Sequence, residues 1–228
     1  MTTILVDGDI IAYRCAASAE NEDVDIAIMR VDSMMRELLS FGDSYKSFIT
    51  GSQHNYPITD VVNFRKIINP EYKANRKDVI TPQWLDICRK YMISEYNTKV
   101  TIGYEADDAL GFNQTEETVI ASIDKDLLMI PGHHYNFVKK EYREVSELDG
   151  IKAFYRQMLI GDSSDNIFGI RGIGKAKAAK IIDHLEVEED MSAVVVTLYE
   201  DPERFRMNAD CLWIQRIEGK RFSDRNIR

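Results

Sequence analysis

The sequence predicts an α/β fold, a mainly parallel sheet flanked by helices and followed from about residue 147 by a helical region. Three observations predict it. Four short apolar runs, Ile4-Leu5-Val6, Phe48-Ile49-Thr50, Val100-Thr101-Ile102 and Thr118-Val119-Ile120-Ala121-Ser122-Ile123, alternate with segments whose apolar residues recur at helical spacing. The first and fourth runs end in the acidic turns Asp7-Gly8-Asp9 and Asp124-Lys125-Asp126, and open parallel sheets place their ligand sites at the carboxyl ends of strands. Beyond Ser146 the strand signals fade and helical patterns take over.

Taken in order, Ile4-Leu5-Val6 reads as a buried strand that delivers an acidic turn. Ile28, Val31, Met35 and Leu38 set a helix over 24–40, and Phe48-Ile49-Thr50 is the second strand. A Gly-, Asn- and Pro-bearing stretch from Gly51 to Pro57 precedes a basic segment, then a helix from about Pro82 to Tyr96 with Pro82 in its first turn. Val100-Thr101-Ile102 leads into Gly103-Tyr104-Glu105-Ala106-Asp107-Asp108-Ala109-Leu110, the opening of a helix whose dipole suits carboxylates. After the fourth strand the helical patterns run over 148–159, 175–184, 192–199 and 202–214, so a core of 1–146 and a helical region of 147–228 are expected.

Composition narrows the function. With 228 residues, 44% hydrophobic and 29% charged, the chain is long enough for a sizeable core and too ordinary for general disorder or a fibrous repeat. No apolar run approaches the roughly 18 residues of a membrane span, and the first residues lack a basic then apolar leader. Three well-separated cysteines without a CxxC pair fit buried thiols in a reducing compartment, so a cytoplasmic protein is expected. The net charge of -9 argues against a generally basic nucleic-acid coat, yet residues 65–90 carry seven basic residues against three acidic ones, and Arg171, Lys175, Lys177 and Lys180 face only Asp183.

Asp7, Glu105, Asp107, Asp108, Asp124, Asp126, Asp162 and Asp165 form four acidic clusters, each after a strand or at a helix start. Crowded carboxylates repel, and holding them ionised takes compensating positive charge; oxygen-only donors favour Mg2+ or Mn2+ over zinc. Any one cluster alone also reads as an N-cap or a solvated turn. Two divalent ions can activate water and stabilise the leaving oxygen of a phosphodiester if cations steer the phosphate, and Lys73, Arg76 and Lys77 in Glu71-Tyr72-Lys73-Ala74-Asn75-Arg76-Lys77 can do so unless they simply solvate a loop. The segment Gly169-Ile170-Arg171-Gly172-Ile173-Gly174-Lys175-Ala176-Lys177 reads as a turn whose glycines let main-chain N–H groups approach phosphates. It does not have the GxGxxG spacing or the preceding strand of a dinucleotide loop, and a purely structural helix hairpin is its other reading.

These motifs resemble the flap-endonuclease-like 5' nucleases, particularly the short phage-encoded 5'-3' exonucleases. The landmarks span nearly the whole chain: Val6-Asp7-Gly8-Asp9, Asn63-Phe64-Arg65-Lys66 with Tyr72 to Lys77, Tyr104-Glu105-Ala106-Asp107-Asp108, Ser122 to Leu128, and Gly161-Asp162-Ser163-Ser164-Asp165-Asn166 leading into Gly169 to Gly174. The resemblance implies a PIN-like core, a basic arch around 63–100 that admits a 5' end, and a helix-three-turn-helix at about 160–185 that holds duplex backbone with K+. It implies Asp7, Glu105, Asp107 and Asp124 as a first metal cluster for Mg2+ or its substitute Mn2+. Asp126, Asp162 and Asp165 would complete a second, with Asp108 behind them.

By the same resemblance Lys73 and Arg76 orient the scissile phosphate, and Arg14, Arg65, Lys77, Gly169, Arg171, Gly172, Gly174, Lys175 and Lys177 meet DNA, as does Tyr13 unless it simply packs a helix. The chain departs from the family where the second strand ends in Thr50-Gly51 without a carboxylate, where Phe168 follows Asn166-Ile167 in place of proline, and in a short arch. The expected function is metal-dependent 5'-3' exonuclease and 5' flap endonuclease action, by a two-metal mechanism, in DNA replication, repair or phage genome processing. The expected partner is double-stranded or branched DNA with a 5' end. RNA-DNA hybrids and replication proteins are further expectations, with a monomer, no membrane contact, and the infected bacterial cell as the setting if the chain is phage-encoded. Two rival readings are a non-catalytic branched-DNA-binding module that has lost full metal binding and a PIN-like ribonuclease, which leaves the glycine turn without a purpose.

Overall fold

The computed structural model describes residues 1–53, 56–77 and 79–225; Asp78 of the basic segment lies outside them. Strand β1 (Thr3–Asp7) is followed by helices α1 (Gly8–Ser18) and α2 (Val24–Leu39), then β2 (Ser44–Thr50), α3 (Phe64–Ile68), α4 (Leu85–Glu95), β3 (Lys99–Thr101), α5 (Ala106–Asn113) and β4 (Thr118–Ala121). A hairpin of β5 (Gly132–Asn136) and β6 (Glu141–Val145) leads to α6 (Glu147–Ile160), a two-stranded turn of β7 (Gly161–Asp162) and β8 (Ile167–Phe168), and helices α7 (Lys175–Ile182), α8 (Glu188–Tyr199) and α9 (Pro202–Leu212).

The sheet order is β3-β2-β1-β4-β5-β6, with every neighbouring pair parallel except β5 and β6. From β1 the chain builds outward through β2 and β3, then returns to lay β4 on the other flank of β1. This reversal opens a crevice at the carboxyl ends of β1 and β4, the usual ligand position of such a sheet.

Both faces of β1 are covered, which is why its sequence is a continuous apolar run. Ile4 and Val6 pack with Ala12, Val31, Met35, Cys88 and Met92 of α1, α2 and α4, while Leu5 joins Leu110, Phe154, Met158 and Trp213 on the opposite face. The helix α1 can start directly after β1 because Gly8 has no side chain: a Cβ there would meet the Phe48 carbonyl oxygen at 2.5 Å. The expected boundary near 146 coincides with the Ser146 cap of α6. The hydrophobic core does not stop there, however, but runs from Leu5 and Ile120 through Phe154 to Trp213 and Phe222.

Six elements were absent from the sequence expectations: α1, α3, β5, β6 and the two-residue strands β7 and β8. The five-residue α3 is too short to show a helical period, and β5, Gly-His-His-Tyr-Asn, lacks apolar alternation. Pairing with β4 and with β6 makes β5 a strand. The helix expected from 192 begins earlier, at Glu188, where Glu188, Glu189 and Asp190 favour its first turn.

Candidate active site

The carboxyl ends of β1 and β4 and the start of α5 open on a cleft of about 940 Å3, lined by Asp7, Glu105, Asp107, Asp124, Asp126, Asp162 and Asp165 from the acidic clusters and by Lys73, Arg76, Lys77 and Tyr13. Local turns set the first side of it. Asp7 caps α1, accepting from the Ile10 N–H at 3.1 Å, and the Ser122 hydroxyl donates to its other oxygen at 2.6 Å. Ser122 in turn accepts from the Asp124 N–H at 3.0 Å, and Asp124 from the Asp126 N–H at 2.9 Å. Burial pushes the Asp7 carboxyl up to about 7, with the Asp9 and Asp124 charges adding to it against the Ser122 bond. Asp107 is raised well above the usual range by burial and by the charges of Asp7, Asp124 and Glu105. Asp126 is raised to about 7 by burial and Asp124.

The second side interleaves acid and base. Lys73, in the left-handed region at φ 56°, places its amine 2.6 Å from Glu105 and 3.7 Å from Asp165. Arg76 reaches Asp165 at 2.8 Å, and Tyr72 donates to Asp165 at 2.7 Å and to Glu105 at 3.2 Å. The segment is clamped to the acidic loop by Lys73 N–H to the Asp165 carbonyl, Asn75 to the Ser163 carbonyl and Asn166 to the Glu71 carbonyl. Burial would raise Glu105, but the Lys73 ammonium and the Arg65 guanidinium outweigh it and hold it at about 2. Asp165 stays raised by burial despite Lys73, whereas the Ser164 hydroxyl and N–H hold Asp162 down against burial.

Three assignments change. Asp108 does not line the cleft: it is fully buried and pairs with Arg65 through two bonds of 2.6 and 2.8 Å. Arg65, itself buried, also donates to the Cys211 and Trp213 carbonyls, so it ties the C-terminal segment to α5 and is not presented to DNA. Arg14 does not line this cleft; it lines a separate groove with Arg30, Glu37 and Lys140. Gly169 is required by packing, since a Cβ there would sit 2.3 Å from the Ile160 carbonyl carbon. By contrast Gly172 and Gly174 have nothing within 4 Å of such a Cβ, and Arg171, Lys175 and Lys177 are exposed beside them.

The sequence missed Asp9, Ser122 as a link, Tyr72 and Arg89. Asp9 was visible as the second acid of Asp7-Gly8-Asp9; the Tyr72 contacts needed the fold, because they join residues 33 and 93 positions apart.

Among the described residues no three acidic, His or Cys side chains close around a point that could hold an ion. The donor set nevertheless fits a divalent cation. It is oxygen only, it crowds like charges whose repulsion a cation would relieve, and the Lys73 ammonium already supplies positive charge between Glu105 and Asp165.

No protein-family profile matches the chain. It is 34% identical over 149 residues to a DNA polymerase I of Borreliella burgdorferi, covering 54% of this chain and 16% of that protein. It is 27% identical over 194 residues to a 5'-3' exonuclease of Buchnera aphidicola, covering 75% of this chain and 66% of that one. The bacteriophage T5 D15 flap endonuclease, solved as a complex with DNA and metal ions, superposes with a TM-score of 0.61 at 16% identity over 93% of this chain and 89% of its own. The chain shares its fold with the T5 flap endonuclease. In sequence the chain is similar to bacterial proteins named DNA polymerase I and 5'-3' exonuclease, and in fold to a phage flap endonuclease. It spans about a sixth of the polymerase and about two thirds of the exonuclease that it matches.

Proposed function

We propose that the protein is a divalent-metal-dependent 5' nuclease that hydrolyses DNA phosphodiesters near 5' ends, as a 5'-3' exonuclease and a structure-specific 5' flap endonuclease. The observation that carries this is one cleft in which carboxylates from β1, β4, α5 and the 162–165 loop face Lys73 and Arg76. Asp7, Glu105, Asp107 and Asp124 would hold one ion and Asp126, Asp162 and Asp165 a second, and such a pair supplies a water-derived nucleophile and neutralises the leaving oxygen.

Lys73 and Arg76 do the phosphate-directed work. Both are held against carboxylates, so an entering phosphate takes over partners that are already positioned, and the cations bear on the charge that develops there. Lys77 and the half-exposed Tyr13 lie on the same cleft wall, where a cation and a ring can meet backbone and a terminal base. The open Gly172–Gly174 backbone with Arg171, Lys175 and Lys177 would grip duplex phosphate without reading sequence.

From the resemblance alone come K+ at this helix-three-turn-helix, Mg2+ as the resident ion, RNA-DNA hybrids and replication proteins as partners, and a monomer. A cytoplasmic setting agrees with bacterial relatives and with described helices none of which is long and apolar enough to cross a membrane. A binding module without hydrolysis is the second reading, favoured only by the end of β2 at Thr50, which carries no carboxylate.

The test is incubation with 3'-labelled 5'-flap, nicked and blunt duplex DNA in Mg2+, Mn2+ or chelator. Metal-dependent shortening from the 5' end is expected. Lys73→Ala should slow it by about 10² to 10³-fold, and Asp124→Asn should abolish it with DNA binding retained. Binding without cleavage by the unaltered protein would select the module.

A further inference from the structure

The end of β2 carries no carboxylate of its own, yet an acidic group stands there. Asp9, in the first turn of α1, accepts from the Thr50 N–H at 3.1 Å and pairs with Arg89 of α4 at 2.9 Å. Arg89, almost fully buried behind it, also donates to the Thr50 carbonyl, so one guanidinium fixes Asp9 and the strand end together. About a third of the Asp9 side chain is exposed, and it lines the cleft wall beside Asp7.

The two residues at the strand end are committed elsewhere. The Thr50 hydroxyl accepts from the Ala106 N–H at 2.8 Å and so anchors the start of α5, the segment that bears Glu105 and Asp107. At Gly51 a Cβ would sit 2.7 Å from the Thr101 carbonyl oxygen, which bars any carboxylate side chain there. Asp9 therefore brings its charge to this edge from the neighbouring segment. The oxygen that faces Arg89 is buried, but a carboxylate oxygen can accept more than one hydrogen bond, so the other oxygen, which takes the Thr50 N–H, keeps lone pairs for the cleft.

We propose that Asp9 is a cation-positioning carboxylate at the β2 edge of the cleft, held by Arg89 and Thr50 and turned toward the hydration shell of a divalent cation bound at Asp7. The proposal rests on the nuclease reading but is tested apart from it, by calorimetric titration of Mn2+ into the protein without DNA, with melting temperatures recorded alongside. Asp9→Asn preserves size and removes charge; it should weaken Mn2+ binding on the order of tenfold, as loss of a group supporting metal ligands does, and lower the melting temperature in chelator, because it leaves the buried Arg89 without its counter-charge. Asp9→Asn combined with Thr50→Asp returns a carboxylate to the same edge and should recover most of the affinity.

Equal Mn2+ affinity in Asp9→Asn and the unaltered protein would overturn the proposal. So would a loss of affinity that the second substitution does not recover, because Asp9 would then be only a structural tie. Failure of the unaltered protein to bind Mn2+ would overturn both this proposal and the nuclease reading, whereas a failure confined to the variants leaves that reading standing.

Discussion

At the scale of single residues, burial decides which charges are available for chemistry. Arg65 and Lys73 lie eight positions apart in one basic segment, yet Arg65 is 2% exposed and spends its donors on Asp108 and two carbonyls, while Lys73 reaches into the cleft. Burial would lower the Arg65 pKa, but Asp108 outweighs it and drives it well above normal. Removing one member of such a pair leaves the other charge buried alone, so Arg65→Met should cost about 3–5 kcal/mol in denaturant unfolding. Arg65→Met/Asp108→Leu should regain only part of that, because the Gln215 and Glu105 N–H groups lose their acceptor. If Arg65 instead bound DNA, its replacement would weaken DNA binding and leave unfolding unchanged. The sequence shows seven basic residues in this region but not their partners; Asp108 stands 43 positions from Arg65, and only the fold closes that distance.

At the scale of elements, the glycine turn contains positions with different duties. Gly169 is locked between the ends of α6 and β8, where a Cβ would overlap main-chain atoms of Leu159, Ile160 and Gly161. Gly172, at φ +79°, needs its glycine for backbone conformation, and Gly174 begins α7 in open space without a side-chain cap. Gly169→Ala should therefore lower the melting temperature sharply and Gly174→Ala hardly at all. Lys175→Glu should leave the melt in place but weaken duplex binding and flatten its salt dependence, since one phosphate contact contributes a slope of about 0.9. Equal melting temperatures for the two alanine variants would refute the division. The sequence showed the turn because glycines are conspicuous, and it showed β1, β2 and β4 because buried parallel strands are apolar throughout. It did not show β6, whose Glu-Tyr-Arg-Glu residues lie exposed at the sheet edge, with only Val145 buried, and which takes its extended form from pairing with β5.

At the scale of the whole molecule, an acidic chain of net charge -9 concentrates further negative charge in its own cleft, and this makes stability depend on pH with a definite sign. Asp7 and Asp126 rise from the ordinary 3.8 to about 7. Between those values the folded state binds more protons than the unfolded state, so stability falls as pH rises. Asp107 and Asp165 are raised as well and act in the same direction. Glu105, held at about 2, has the opposite sign: its contribution is complete above about 4.5 and is lost as acid approaches 2. In chelator the melting temperature should therefore decline from pH 5 to pH 8, each kcal/mol amounting to about 2–4 °C for a chain of this size. Asp7→Asn should make the decline shallower. Mn2+ should oppose it increasingly toward pH 8, because a cation binds the ionised carboxylates and its affinity grows as they lose their protons. A melting temperature in chelator that rises across this interval would show that the carboxylates are not crowded in solution, and the electrostatic argument for a cation in the cleft would fall with it.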